Sequence, residues 1–262
     1  MAGAAHSERG ASPRRSSSDD YATRRAWIAE YFDRTAVTAW AQLTSDAPVG
    51  RVRATVRAGR SRMRETLLSW LPRDLVGERV LDAGCGTGAL ALELATRGAD
   101  VVAIDLSPTL VSLARDRVHA AATPAIASRI DFRAGDMLDP SLGNFTRIVA
   151  MDSIIHYRVS DMQAVLSAFM ARSATTVTFT VAPRTPLLAA MHAAGRLFPR
   201  GDRAPAIEPV VTSALRDSLD RISTEWLVGR TRRVSSGFYT SEAMELVHTG
   251  INSLADEEES FI

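Results

Sequence analysis

Residues 80–88 read Val-Leu-Asp-Ala-Gly-Cys-Gly-Thr-Gly, and this stretch decides the fold. Its apolar start predicts a strand, and the glycines at alternate positions predict a tight turn whose bare backbone a ligand can approach. The next residues, Ala89–Arg97, predict a helix, so the turn lies at a helix N-terminus. We therefore expect a ligand site in this loop.

Short apolar strands alternate with helices along the central sequence. The predicted strands are Arg79–Ala83, Val101–Asp105, Ile130–Arg133, Arg147–Met151 and Thr176–Val181. The predicted helices are Ala89–Arg97, Pro108–Ala121 and Asp161–Ala171. This alternation is typical of a parallel sheet covered on both faces. A hairpin of Glu225–Val234 and Phe238–Thr240 adds antiparallel strands. The predicted fold is α/β and Rossmann-like, with a mostly parallel seven-stranded sheet.

The flanking segments differ in composition from the sheet region. Residues 1–20 lack apolar periodicity and are predicted to be disordered. Residues 21–72 predict an N-terminal helical arm, which precedes the sheet domain at 73–250. The proline-rich stretch 183–210 predicts an insertion that caps the active site, and the acidic residues 251–262 form a tail.

Composition narrows the class of protein. The chain has 262 residues, one cysteine, and 31 basic residues against 30 acidic ones. A single cysteine excludes an intrachain disulfide, and no cluster of metal ligands is evident, so we expect no protein-bound metal. The balanced charge gives no reason to expect nucleic-acid binding. Without a long apolar run or a secretory signal, we expect a cytoplasmic protein with no transmembrane segment.

Two classes of ligand fit the glycine loop. The pattern Gly84-x-Gly86-x-x-Ala89 matches the fingerprint for dinucleotides, but the loop also suits S-adenosylmethionine in a Rossmann-like methyltransferase. In either case, Asp105 at the end of the second predicted strand could accept hydrogen bonds from ribose hydroxyls.

Three features favour the methyl donor. Asp82 could face the cationic amino group of S-adenosylmethionine, whereas it would repel a pyrophosphate. Gly88 adds a third alternate glycine. Resemblance to methyltransferases assigns Asp136, after the third strand, to the adenine amino group, with Met137 packing on the ring. Cys85 is expected to contact the cofactor and not to act as a nucleophile. The predicted cofactor site comprises Asp82, Gly84, Cys85, Gly86, Gly88, Asp105, Leu106, Asp136, Met137 and Met151.

A histidine follows the fourth predicted strand. It lies in the segment Met151–Tyr157, which this fold places beside the methyl group of the donor. His156 could serve the acceptor as a base, an acid or a hydrogen-bond anchor, or it could cap local backbone.

Five segments carry a resemblance to a known family. They are Tyr31–Trp40, Val52–Arg60, Leu81–Gly88, Met151–Tyr157 and Gly195–Gly201. Together they resemble the magnesium-protoporphyrin IX O-methyltransferases of chlorophyll and bacteriochlorophyll biosynthesis, over a span from about Tyr21 to Val247. The glycine loop is common to many methyltransferases, whereas the other segments are more specific. One departure is Ala36, where relatives often have glycine.

The resemblance implies an activity and partners. A methyl group would pass from S-adenosylmethionine to one propionate of magnesium-protoporphyrin IX. Tyr31 and His156 would be the catalytic residues, although the pattern alone favours a core aromatic role for Tyr31. The resemblance also implies contact with the porphyrin-binding large subunit of magnesium chelatase. Peripheral attachment to the photosynthetic membrane is compatible with the sequence, although no lipid anchor or spanning segment supports it.

Other functions are compatible with the sequence. The acceptor could be a quinone or a small carboxylic acid, or the chain could be a non-catalytic porphyrin carrier or a nicotinamide oxidoreductase. The arginines between 51 and 64 could meet a propionate or an acidic partner. Because such a run is more often a solvated helix face, we expect these arginines to lie in solvent.

Overall fold

The computed structural model describes residues 17–36, 43–44, 48–184 and 207–250. Its strands are β1 Arg79–Ala83, β2 Asp100–Asp105, β3 Ile130–Ala134, β4 Phe145–Ala150, β5 Ser173–Val181, β6 Trp226–Ser236 and β7 Tyr239–His248. Its α-helices are α1 Ser17–Glu30, α2 Arg51–Ser69, α3 Ala89–Thr96, α4 Pro108–Ala121, α5 Pro124–Ala127, α6 Val159–Met170 and α7 Thr212–Leu219. The remaining helical pieces are a π-helical segment, Tyr31–Ala36, and 3₁₀ turns at Pro140–Leu142 and Ile154–His156.

The strands form a single seven-stranded sheet within the described part of the chain, in the order β3-β2-β1-β4-β5-β7-β6. The first five strands pair in parallel, and β7 is antiparallel to both of its neighbours. The predicted fold class is therefore confirmed. Because the chain runs from β1 outward to β3 and then returns to β4, a crevice opens where β1 and β4 end side by side. In open parallel sheets, ligands bind at such a switch point.

The predicted parallel strands and the helices between them lie within three residues of the observed bounds. Two other boundaries are wrong. Helix α1 begins at Ser17, inside the segment predicted to be disordered. Strand β7 continues to His248, whereas the sequence pattern predicts a strand that ends at Thr240. Most of the predicted insertion, at 185–206, and the tail at 251–262 lie outside the described residues.

Buried glutamates explain why the pattern misses most of β7. Glu242 and Glu245 are buried in the middle of this strand. On β6, Arg233 pairs with Glu242 at 2.7 Å and Arg230 pairs with Glu245 at 2.5 Å. A charge in a buried strand is costly unless a neighbouring strand supplies its partner, and that partner is invisible to a reading of local periodicity.

The N-terminal helices pack on the sheet domain. Ile28 of α1 is buried in the same apolar cluster as Leu81 of β1 and Ile148 of β4. In α2, Gly59 is buried against the ring of Tyr239, at the start of β7. No helix in the described ranges is long and apolar enough to cross a bilayer.

We expect Gly59→Ala to destabilise the protein. In an exposed helix interior, alanine is better than glycine by about 1 kcal/mol. Here the added Cβ would lie 2.4 Å from Cδ1 of Tyr239, so the ring or the helix must shift. We expect a loss of about 1–3 kcal/mol in the free energy of unfolding, measured by urea denaturation. The exposed neighbour Ala58 supplies the control, because Ala58→Gly changes helix propensity alone. A more stable Gly59→Ala variant would contradict this packing.

Candidate active site

A cavity lies at the carboxyl ends of β1, β2 and β4, at the switch point of the sheet. All the predicted site residues line it except Tyr31 and Gly88. Several other residues line the cavity that were not among the predicted catalytic or cofactor-binding residues, namely Ile28, Phe32, Arg60, Arg64, Ser153 and Tyr157. The structure therefore brings the glycine loop and the His156 segment to one site.

The glycine loop is shaped by its protein neighbours as much as by a ligand. Gly84 has a φ of +84°, and a Cβ there would lie 2.3 Å from the Cβ of Ser153. Glycine at this position therefore lets the loop after β1 touch the loop after β4. Gly88 also has a left-handed φ, of +79°, and a Cβ would approach Ala114 of α4 to 3.0 Å. Gly88 thus serves close packing and does not line the cavity.

Asp82 is a buried carboxylate that is 1% exposed and lines the cavity. Within the described part of the chain, its Oδ2 atom has no hydrogen-bond partner. Burial, with a smaller effect of the nearby Asp105 charge, raises the pKa of Asp82 to about 7. A buried carboxylate with one unpartnered oxygen in a cavity is suited to a cationic group such as the amino group of the donor, which would supply both a hydrogen bond and the opposite charge.

Asp105 holds the turn that follows β2. Its carboxylate accepts hydrogen bonds from the backbone N–H of Gly86 at 2.9 Å and of Ser107 at 3.0 Å. Burial raises the pKa of Asp105, and these backbone hydrogen bonds oppose that shift. Each carboxylate oxygen can accept a second hydrogen bond, so the predicted ribose contact is compatible with this geometry.

Cys85 is buried beside these two acids. Burial raises the pKa of its thiol well above the ordinary value, and the charges of Asp105 and Asp82 act in the same direction. A thiol in this setting stays neutral, so it lacks the thiolate needed for nucleophilic attack. The prediction that Cys85 is a wall residue and not a nucleophile is consistent with this burial.

The N-terminal arm reaches the predicted adenine site. Asp136 accepts a hydrogen bond from the hydroxyl of Tyr21 at 3.1 Å and pairs with Arg25, both from α1. It also accepts the backbone N–H of Leu138 at 2.9 Å. Tyr21 stacks on Tyr157, with ring centroids 5.3 Å apart. Burial raises the pKa of the Tyr157 hydroxyl to about 12, so it stays protonated.

The arm also fixes His156. Arg24 of α1 donates from Nε to the backbone oxygen of His156 at 2.8 Å and pairs with Glu208. The ring of Phe32 packs on the imidazole, with centroids 5.6 Å apart. His156 is buried and lines the cavity, whereas Tyr31 lies outside the lining and packs edge-on against Phe32.

Sequence reasoning missed a buried ion-pair network. Asp152, in the loop after β4, pairs with Arg60 of α2 at 2.5 Å, and its side chain is 3% exposed. It also accepts hydrogen bonds from the hydroxyls of Tyr239 at 3.1 Å and Thr180 at 3.1 Å. Asp152 has a φ of +53°, unusual for a residue with a side chain. The network therefore holds a strained backbone beside the cavity.

The prediction that the arginines between 51 and 64 lie in solvent is therefore only partly correct. Arg51, Arg53 and Arg62 are exposed, but Arg60 is engaged in the network and lines the cavity. The pattern could not reveal this, because Asp152 and Tyr239 lie far away in sequence. Among the described residues, no group of three His, Cys, Asp or Glu side chains is arranged to hold a metal ion.

Comparison with known proteins finds relatives that cover most of the chain. The family profile described as "Magnesium-protoporphyrin IX methyltransferase C-terminus" matches residues 150–248, and one described as "Methyltransferase domain" matches residues 80–173. Magnesium-protoporphyrin O-methyltransferase of Rhodobacter capsulatus is 49% identical over 86% of this chain and 97% of its own length.

A solved structure and a second enzyme class refine the comparison. The crystal structure of magnesium protoporphyrin IX methyltransferase from Synechocystis PCC 6803 with bound SAH matches with a TM-score of 0.75 and 26% identity. That match covers 86% of this chain and 99% of the other. Ubiquinone biosynthesis O-methyltransferase of Xanthomonas oryzae is 34% identical, but over only 49% of this chain and 55% of its own length. Coverage therefore favours the porphyrin enzymes over the quinone enzymes as relatives.

Proposed function

This chain belongs to the magnesium-protoporphyrin O-methyltransferase family, and on that premise we propose that it methylates a propionate of magnesium-protoporphyrin IX with S-adenosylmethionine. The product is the monomethyl ester. The observation that carries the proposal is one cavity lined by both the buried His156 and the Asp82 carboxylate, whose Oδ2 has no hydrogen-bond partner among the described residues. The residues fit the cofactor: Asp82 for its amino group, Asp105 for its ribose and Asp136 for its adenine.

The acceptor needs little activation. When bound, S-adenosylmethionine would supply a methyl group on a positively charged sulfur, and a carboxylate oxygen would take up this methyl group as the bond between the methyl carbon and the sulfur breaks. A propionate is already ionised at neutral pH, since such acids have a pKa of about 4 to 5. The protein therefore has to align one oxygen with the methyl group and remove the water around it.

We assign this alignment to His156. Its backbone is held by Arg24 and its ring by Phe32, so the imidazole has a fixed place in the cavity wall. From there it can donate a hydrogen bond to one propionate oxygen and leave the other free to react. It can also remove the proton from an acceptor that has entered as the neutral acid.

We expect His156→Ala to lower turnover by about a hundredfold or more, because the acceptor loses its anchor. The dissociation constant for S-adenosylhomocysteine, measured by calorimetry, should change by less than about threefold, since the predicted donor contacts are elsewhere. His119, exposed on α4, provides the matched control in His119→Ala. Equal turnover in the two variants would remove His156 from the mechanism.

We propose that the arm closes over the bound cofactor and brings the Tyr31 hydroxyl to the reaction site. Its support is the set of contacts from α1 to Asp136 and His156, and the position of Tyr31 directly after this helix. Tyr31→Phe should then lower turnover about tenfold with little change in the affinity for S-adenosylhomocysteine. If Tyr31→Phe is fully active and only Tyr31→Leu is impaired, the residue serves packing alone.

One assay separates the proposed function from its alternatives. Purified protein is given labelled S-adenosylmethionine with magnesium-protoporphyrin IX, metal-free protoporphyrin or a hydroxylated quinone precursor. The proposal expects labelled monomethyl ester from magnesium-protoporphyrin. Transfer to the quinone alone would indicate another acceptor, and tight porphyrin binding without transfer would indicate a carrier.

We also propose that the large subunit of magnesium chelatase hands over the porphyrin and that the enzyme works at the surface of the photosynthetic membrane. The support is chemical: a flat apolar substrate is poorly soluble, and the exposed Arg51, Arg53 and Arg62 on α2 offer positive charge to an acidic surface. Adding the chelatase subunit should raise the methylation rate at limiting porphyrin. An unchanged rate would argue against the hand-over.

A further inference from the structure

Three arginines of α2 line the cavity, and their environments differ. Arg57, Arg60 and Arg64 follow one another at three- and four-residue spacing, so they share one face of the helix. Arg60 is paired with Asp152, and Arg57 donates from Nε to the backbone oxygen of Leu43 at 3.0 Å. Arg64 has no ion pair or hydrogen bond with the part of the chain that the structure describes.

The turn of α2 that carries Arg64 contributes to the same apolar cluster as the glycine loop. Met63 and Leu67, on either side of Arg64 in sequence, are fully buried in the same apolar cluster as Cys85 of the loop and Leu90 of α3. Arg64 therefore lines the same cavity as Asp82 and the glycine loop. A partly buried guanidinium without an ion pair among the described residues and a buried carboxylate with one unpartnered oxygen thus line one cavity.

The methionine end of the cofactor has the complementary charges. Its ammonium and carboxylate groups are attached to the same carbon. A protein that pairs both charges with side chains therefore presents an anionic and a cationic side chain to the same end of the cofactor. We infer that Arg64 binds this α-carboxylate while Asp82 binds the ammonium group. The inference rests on the proposed use of S-adenosylmethionine. Arginine suits the task because its planar fork of N–H groups matches a carboxylate and keeps its charge at any working pH.

Binding of two nucleosides tests the inference. S-adenosylhomocysteine carries the carboxylate, whereas 5′-methylthioadenosine lacks the whole amino-acid group. We expect Arg64→Ala to weaken S-adenosylhomocysteine about ten- to a hundredfold by calorimetry and to leave 5′-methylthioadenosine within about twofold of the wild type. The affinity of Arg64→Lys for S-adenosylhomocysteine should lie between those of the wild type and Arg64→Ala, because lysine keeps the charge but lacks the fork of N–H groups. Arg53→Ala, an exposed change on the same helix, should affect neither ligand.

Other results would overturn the inference. Equal weakening of both nucleosides would show that Arg64 supports the fold of the site. Unchanged S-adenosylhomocysteine binding, with weaker porphyrin binding, would show that Arg64 meets a propionate instead. If the wild type binds neither nucleoside, the proposed function itself fails.

Discussion

Replacing Asp82 by asparagine is expected to weaken binding of S-adenosylhomocysteine by a factor on the order of a hundred, the largest loss of cofactor affinity in this site. Asparagine keeps the size of the side chain but removes the charge that would face the ammonium group. The carboxylate is buried and has an unpartnered oxygen, so solvent does not screen the lost attraction.

The raised pKa of Asp82 gives this prediction a pH signature. Its pKa is about 7 in the folded protein, so a pH below 7 leaves the group mostly neutral. Cofactor affinity should therefore rise with pH up to about 7 and then level off, and Asp82→Asn should remove this rise. Stability should change in the opposite direction. The folded pKa exceeds the ordinary carboxyl value, so the contribution of Asp82 to the free energy of unfolding falls as the pH rises toward 7.

Calorimetry at several pH values between 5.5 and 8.5, with wild type and Asp82→Asn in parallel, measures the effect. A matched variant is Asp74→Asn, because Asp74 is exposed and carries the same charge. An affinity that is independent of pH in the wild type would contradict the assignment of Asp82 to the ammonium group. So would an Asp82→Asn variant with normal affinity.

Replacing Asp152 by alanine is expected to have the largest effect on stability, a loss of about 3–5 kcal/mol in the free energy of unfolding. The change removes the carboxylate that pairs with the partly buried Arg60 and that accepts the hydrogen bond from the Tyr239 hydroxyl. Because the same loop continues into His156, turnover should fall as well. Urea denaturation and the methyl-transfer assay measure the two effects.

A double-mutant cycle isolates the ion pair. Arg60→Ala combined with Asp152→Ala should cost less than the sum of the single changes, because the second change no longer breaks the pair. Asp100 forms an exposed ion pair with Arg129, and Asp100→Ala should cost less than about 1 kcal/mol. If Asp152→Ala were as mild as Asp100→Ala, or additive with Arg60→Ala, the network would not stabilise the loop.

The parts of the site that follow parallel strands could be predicted from sequence. Asp82 and Asp105 lie at the carboxyl ends of β1 and β2, and Asp136 and His156 follow β3 and β4. The carboxyl ends of parallel strands meet at one edge of the sheet. The fold was predictable for the same reason, since short apolar strands alternate with helices. The C-terminal end of β7 could not be predicted, because the buried glutamates of this strand depend on arginines of the neighbouring strand.

Contacts between distant segments could not be predicted. The charges of Arg60 and Asp152 are separated by 92 positions, and no local pattern shows that they pair. The same holds for Tyr21 and Arg25 on Asp136, since an amphipathic helix does not reveal which loop it will cover. These contacts arise from tertiary packing, which overrides the default expectation that an arginine-rich helix faces solvent.

The close approach of Gly84 to Ser153 has a consequence for the evolution and engineering of this enzyme. Because the two loops touch, the spacing between the donor and the residues that follow β4 is set by the sheet and leaves little room for adjustment. A change of acceptor must then come from elements packed on the sheet domain, such as α1 and α2. Chimeras that exchange these covering elements, while retaining both loops, are therefore the natural route to new acceptor preferences on this scaffold.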